Sequence, residues 1–84
     1  MSHFELFSPE LTSDVPKITM IGQQRVQVEQ HKGIVTYQAA KVAIQTSAGL
    51  LQIEGENINL NRYTSSEIIV TGVIDKLFFE SRDT

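Results

Sequence analysis

The sequence predicts an all-β domain, and three observations predict it. Apolar residues alternate with polar ones from Pro16 onward, glycine-bearing breaks recur along that stretch, and 84 residues suffice for one core but not for two. In a half-buried strand every second side chain reaches the core, so alternation marks a sheet with one wet face.

Ile18 and Met20 open the pattern. Gly22, Gln23 and Gln24 separate them from Val26 and Val28, and a turn at His31, Lys32 and Gly33 leads into Ile34, Val35, Thr36 and Tyr37. Ala39 and Ala40 precede Val42 and Ile44; Ser47, Ala48 and Gly49 form the next turn, before the inward pair Leu51 and Ile53. After Gly55, Glu56 and Asn57, Ile58 and Leu60 alternate with asparagines, and the polar stretch from Tyr63 to Ser66 leads to Ile68, Val70, Gly72 and Ile74 in one parity. Leu77 and Phe79 fall in the opposite parity. A bulge or bend near Asp75 and Lys76 is therefore required to turn both sets inward.

Turns spaced roughly every eight residues make consecutive strands antiparallel neighbours. The expected architecture is a small antiparallel meander forming a rolled sheet or compact sandwich. A short β-solenoid is the alternative, disfavoured because the turns lack a strict repeat. The β domain is expected over residues 16–80, followed by a flexible tail at 81–84. Ahead of it, residues 1–15 form an acidic, aromatic arm: Phe4, Leu6, Phe7 and Leu11 lie among Glu5, Glu10 and Asp14, with no Lys or Arg. Phe4, Phe7 and Leu11 have the spacing of one face of a short helix that Pro9 interrupts. Such an arm either packs loosely on the sheet or docks on a partner, with Phe4 and Phe7 as candidate contacts.

Composition excludes several functions. There is no cysteine, hence no disulfide, thiolate metal site or thiol nucleophile. No apolar run approaches the ~20 residues of a membrane-crossing helix, so direct membrane insertion is not expected. The seven Lys and Arg residues are scattered singly and form no stripe for phosphates, so nucleic acid is not an expected partner.

Catalytic chemistry is also poorly represented. His31 is the only histidine within the β region, with Glu29 two positions before it, and strand alternation would place both on one face. One imidazole and one carboxylate are too few for a closed zinc site. A polar turn built from His31 and Lys32 accounts for them without catalysis, and an enzyme is not expected. Nor are a metal or a cofactor: no glycine loop opens a helix to cradle phosphate. Glu54, Glu56, Glu67, Asp75 and Glu80 fall at strand ends or on the solvent parity. Asn57, Asn59 and Asn61 form an alternating row that would present three amides on one face. That row suits the wet side of a strand, a neighbouring subunit or a sugar.

Together, the segments PKITMIG, RVQVEQHKGI, IQTSAGLLQIEGENINL and EIIVTGVIDKLFF resemble the successive motifs of the YabP/YqfC family of sporulation proteins. The likeness runs from Pro16 to Phe79 and is closer to the YqfC-type members, because a Pro-basic-Ile strand opens the domain and EIIVTGVI closes it. Its most telling series is Glu29, His31, Lys32, Gly33 and Ile34; Thr46, Gly49, Leu51, Ile53 and Gly55 form a second. The family usually shows Asn between the Glu and the His, where this chain has Gln30. Asn accommodates tight-turn geometry better than Gln.

The resemblance implies a non-enzymatic accessory or assembly subunit of spore-envelope formation. It would act in the mother-cell cytoplasm, peripherally at the outer forespore membrane, beside a larger sporulation membrane protein of the YqfD type. A homo-oligomer formed through strand edges is compatible with it. Candidate interaction residues are Glu29, Gln30, His31 and Lys32, the Asn57, Asn59, Asn61 row, and Phe4 and Phe7; the closing segment Leu77 to Phe79 is a further candidate surface. A small ligand- or glycan-binding β module using the Asn row is the alternative function.

Overall fold

A computed structural model describes residues 14–80. They form six strands: β1 (Lys17–Ile21), β2 (Arg25–Glu29), β3 (His31–Gln38), β4 (Lys41–Thr46), β5 (Gly49–Tyr63) and β6 (Glu67–Glu80). All pairings are antiparallel, in one sheet of order β1-β2-β6-β5-β4-β3. Antiparallel pairing at every junction fits the expected meander and excludes a solenoid, whose coils stack in parallel.

One pair of the expected short strands is fused. Gly55, Glu56 and Asn57 do not end a strand but lie inside the 15-residue β5, and Gly72 lies inside the 14-residue β6. This long hairpin bends in its middle and serves two layers. The first half of β5 pairs with β4 and with the end of β6, while the start of β6 pairs with the second half of β5 and with β2. Val42 and Ile44 of β4 and Val26 and Val28 of β2 stand on opposite sides of the hairpin in strand order, yet all four belong to one fully buried cluster. The sheet therefore rolls until its two halves face each other. Leu51, Ile53, Ile58, Ile68, Val70 and Ile74 complete the cluster. Burying an aliphatic side chain of this kind contributes about 1.5–3 kcal/mol relative to leaving it exposed.

Close backbone contact makes the bend. A Cβ on Gly55 would lie 1.8 Å from the Val73 carbonyl oxygen, and one on Gly72 would lie 2.7 Å from that of Asn57. Gly72 also has φ +140°, where a side chain is strained regardless of space. The Ala39–Ala40 turn closes over the same region: Gly55 N–H donates to the Ala40 carbonyl at 3.0 Å and Ile58 N–H to that of Ala39 at 2.8 Å. Beyond the bend, the register slips by one between Glu54↔Lys76 and Gly55↔Ile74, leaving Asp75 as the extra residue. This is the bulge that the parity switch required. It turns Leu77 toward the core opposite Ile53, whereas Phe79, in the same parity opposite Leu51, stays 41% exposed at the end of the strand.

One connection departs from expectation. The turn at His31, Lys32 and Gly33 is not a hairpin: the chain redirects at Gln30, and β3 begins at His31. Gln30 has φ +67°, in the left-handed region. With that single residue the chain leaves β2, which pairs with β1 and β6, and enters β3 at the opposite edge of the sheet. Hydropathy alternation reports which way a side chain points, not which strand lies beside it.

The bend predicts that Gly55→Ala and Gly72→Ala each lower stability by ~3 kcal/mol or more, since the strands must separate to admit a methyl group. Urea unfolding measures this, and a loss under about 1 kcal/mol in both would show that the hairpin does not need the contact.

Candidate interaction surface

At the corner between the two layers, Glu29, Gln30, His31 and Lys32 take four different roles. Glu29 ends β2 on the outer face, opposite Lys17 on one side and Glu67 on the other. Directly opposed like charges disfavour a pairing. Here Glu67 is balanced by Arg62, whose Nε donates to it at 3.0 Å, and by a hydrogen bond from the Gln27 amide, while Lys17 flanks Glu29. Gln30 makes the corner, its N–H donating to the Ser66 carbonyl at 3.0 Å. Its left-handed φ explains why an Asn suits this position: a short amide side chain tolerates that conformation better than Gln does.

His31 is held at both ring nitrogens. Gly33 N–H donates to Nδ1 at 2.9 Å, so Nδ1 is the acceptor and Nε2 carries the proton, which it donates to the Thr64 carbonyl 2.8 Å away. The ring also leans against Tyr63, centroid to centroid 5.7 Å at 45°. The imidazole thus clamps the start of β3 to the β5–β6 turn. Thr64 orders that turn further, its hydroxyl accepting the N–H groups of Glu67 at 3.0 Å and Ser66 at 3.3 Å.

Glu29 and His31 do not share a face as alternation suggested, because the left-handed residue between them interrupts it. Glu29 belongs to the β2 ladder, whereas His31 is opposite Thr46 of β4. Neither ring nitrogen is left over for proton transfer. Lys32 is exposed and pairs with Asp14 at 2.9 Å. Ser47 donates to the Asp14 carbonyl at 2.6 Å, so the segment entering β1 is tied to the β4–β5 turn.

The asparagine row is not a row. Asn57 has φ +53° at the bend, Asn59 is in the ladder opposite Thr71, and Asn61 is the bulged residue between Leu60↔Val70 and Arg62↔Ile69. Two irregularities within five residues break the alternation that would have aligned three amides. The shallow cavity beside Asn61 is about 240 Å³, below the ~300–1,000 Å³ of ordinary ligand sites, and is lined by Arg25, Arg62 and Ile69 besides. Phe4 and Phe7 lie outside the described residues.

Of the exposed apolar side chains, Phe78 and Phe79 fall in the closing segment expected as a surface, whereas those of β1 and β3 lie outside the candidate contacts expected from the sequence. Met20 and Ile21 of β1 are 42% and 58% exposed, and Val35 and Tyr37 of β3 are 59% and 47% exposed. Phe78, on the outer face opposite Gln52, and Phe79 are both 41% exposed. A signal for them was present: Met20-Ile21, Ile34-Val35 and Phe78-Phe79 are adjacent apolar pairs, and in a pleated strand one member of each pair must point away from the other. Strands β1 and β3 also occupy the two edges of the sheet.

Because the His31 ring joins two backbone groups, His31→Ala is expected to lower stability by about 1–3 kcal/mol in urea unfolding, and an unchanged midpoint would sink the clamp. Gln30→Asn is expected to move the other way, by a few tenths to about 1 kcal/mol, by relieving the left-handed strain. A destabilised Gln30→Asn protein would show that the Gln side chain has a role of its own.

The YabP family model matches residues 12–84, a span that includes all six strands. A curated relative, "Uncharacterized protein YqfC" of Bacillus subtilis strain 168, is 30% identical over 67 residues, covering 80% of this chain and 72% of the relative. With the match carried through the whole rolled sheet and its corner, the chain belongs to the YabP family, a family associated with sporulation.

Proposed function

We propose that this protein is a non-enzymatic accessory subunit for assembly during spore-envelope formation, working beside a sporulation membrane protein of the YqfD type. The observation that carries this reading is an open six-stranded sheet whose outer strands, β1 and β3, have no neighbour on their far sides among the described residues and carry exposed apolar side chains. An unpaired edge offers main-chain donors and acceptors to another strand, and side chains beside it select the partner. The one imidazole of the described region is committed to backbone groups, which supports binding rather than turnover as the work of this fold.

The place of action that fits is the mother-cell side of the outer forespore membrane, with the subunit held peripherally by its membrane partner. The alternative of a glycan-binding module loses its main support with the broken Asn57, Asn59, Asn61 alignment.

Co-expression with the neighbouring YqfD-type protein tests the reading. The expected result is that this chain sediments with membranes only when the partner is present and co-purifies with it in detergent. Recovery wholly in the soluble fraction, with and without the partner, would overturn it.

A further inference from the structure

The two sheet edges differ. Strand β3 meets β4 with register shifts between His31 and Ile34 and again between Ile34 and Thr36, and Gly33 within it has φ +116°. Bulges of this kind twist an edge away from further pairing. Strand β1 has none: Lys17, Ile18, Thr19, Met20 and Ile21 face Glu29, Val28, Gln27, Val26 and Arg25 in unbroken register. Its only charge is Lys17, at one end. Natural edges are normally protected by charge, proline or irregularity, and β1 lacks such protection along its centre.

We propose that the β1 edge is a homodimer interface, in which two copies pair β1 against β1 about a two-fold axis through Thr19. Backbone geometry selects this register. Gln24 N–H donates to the Ile21 carbonyl at 3.3 Å, so Ile21 turns its carbonyl toward β2. Strand alternation then turns the N–H and C=O groups of Ile18 and Met20 to the free side. Pairing Ile18 of each copy with Met20 of the other satisfies all four of those groups per copy in four hydrogen bonds. A register centred on Ile18 would bring Pro16, which has no N–H, opposite Met20, and one centred on Met20 would bring in Gly22 of the hairpin turn, with φ +55°.

Side chains agree with the backbone. Ile18, packed against the core, would meet Met20 of the second copy, extending the apolar interior across the axis and covering a methionine that is 42% exposed in the single chain. Lys17 would lie opposite Ile21, and Thr19 opposite its own copy, so no like charges oppose each other. The pairing uses the same patch on both copies and is closed, whereas joining β1 to the bulged β3 head to tail would propagate into rings or filaments. The inference deepens the assembly role proposed above and rests on it for biological purpose, though the dimer itself is testable without the membrane partner.

Because the chain has no cysteine, Thr19→Cys introduces a single thiol on the axis. Opposed residues of a non-hydrogen-bonded antiparallel pair have Cα atoms about 4.5 Å apart, inside the range that a disulfide spans. The full chain is expected to show a concentration-dependent dimer by light scattering and sedimentation. Thr19→Cys should oxidise to a covalent dimer, a control Val35→Cys on the β3 edge should not, and Thr19→Lys, which opposes two ammonium groups, should weaken dimerisation by about tenfold or more. Circular dichroism and urea midpoints of the variants establish that each is folded. A monomer at every concentration, or equal crosslinking from both cysteine positions, would overturn the dimer. Should the chain be monomeric while Thr19→Lys abolishes co-purification with the membrane protein, the occupant of β1 is a strand of that partner; the dimer is then wrong and the accessory role stands.

Discussion

The backbone contact between β5 and β6, where Gly55 lies against Val73 and Gly72 against Asn57, is the constraint on which the rest of the structure depends. Strands of 15 and 14 residues that stayed straight would leave one apolar face of a long ribbon in water. Bending both at the same level turns that face onto itself, so a chain too short for two sheets makes a two-layered interior from one. Side chains at positions 55 and 72 would hold the strands apart. The Asp75 bulge is part of the same solution, since the bend without the parity change would turn Leu77 away from Ile53.

The second constraint is the single-residue corner at Gln30. It carries the chain between layers without a loop, which allows β1 and β2 to complete one half of the roll and β3 and β4 the other. Its stability depends on tertiary contacts rather than on local propensity: the Gln30 N–H bonds to Ser66, and the neighbouring His31 ring joins Gly33 to Thr64. Thus the histidine that looked most like a chemical group in the sequence is a brace. The result is an open sheet whose outer strands, β1 and β3, have no neighbour on their far sides among the described residues.

The two edges are unequal by construction. Irregular pairing on β3 and the Lys32 to Asp14 ion pair make one edge unsuited to extension, while the regular β1 ladder, with Met20 and Ile21 exposed, leaves the other ready for it. Exposed ion pairs contribute little to stability, so that contact is better understood as a local tether than as a source of folding energy.

By itself the sequence determined the all-β class, the core parity from Val26 through Ile74 and the need for a bulge near Asp75, because each follows from the two-residue period of a strand, and its motif order carried the family. It marked Gly55 as a break in the alternation, and placed the turn after β2 at His31, Lys32 and Gly33 where the corner is Gln30. Only the tertiary structure decided that Gly55 lies inside a strand and bends one hairpin together with Gly72, that β2 and β3 lie in different layers, that His31 is held at both nitrogens, and that the asparagines do not align. These depend on which strands lie beside one another and on where φ turns positive, and a pattern of period two is silent on both.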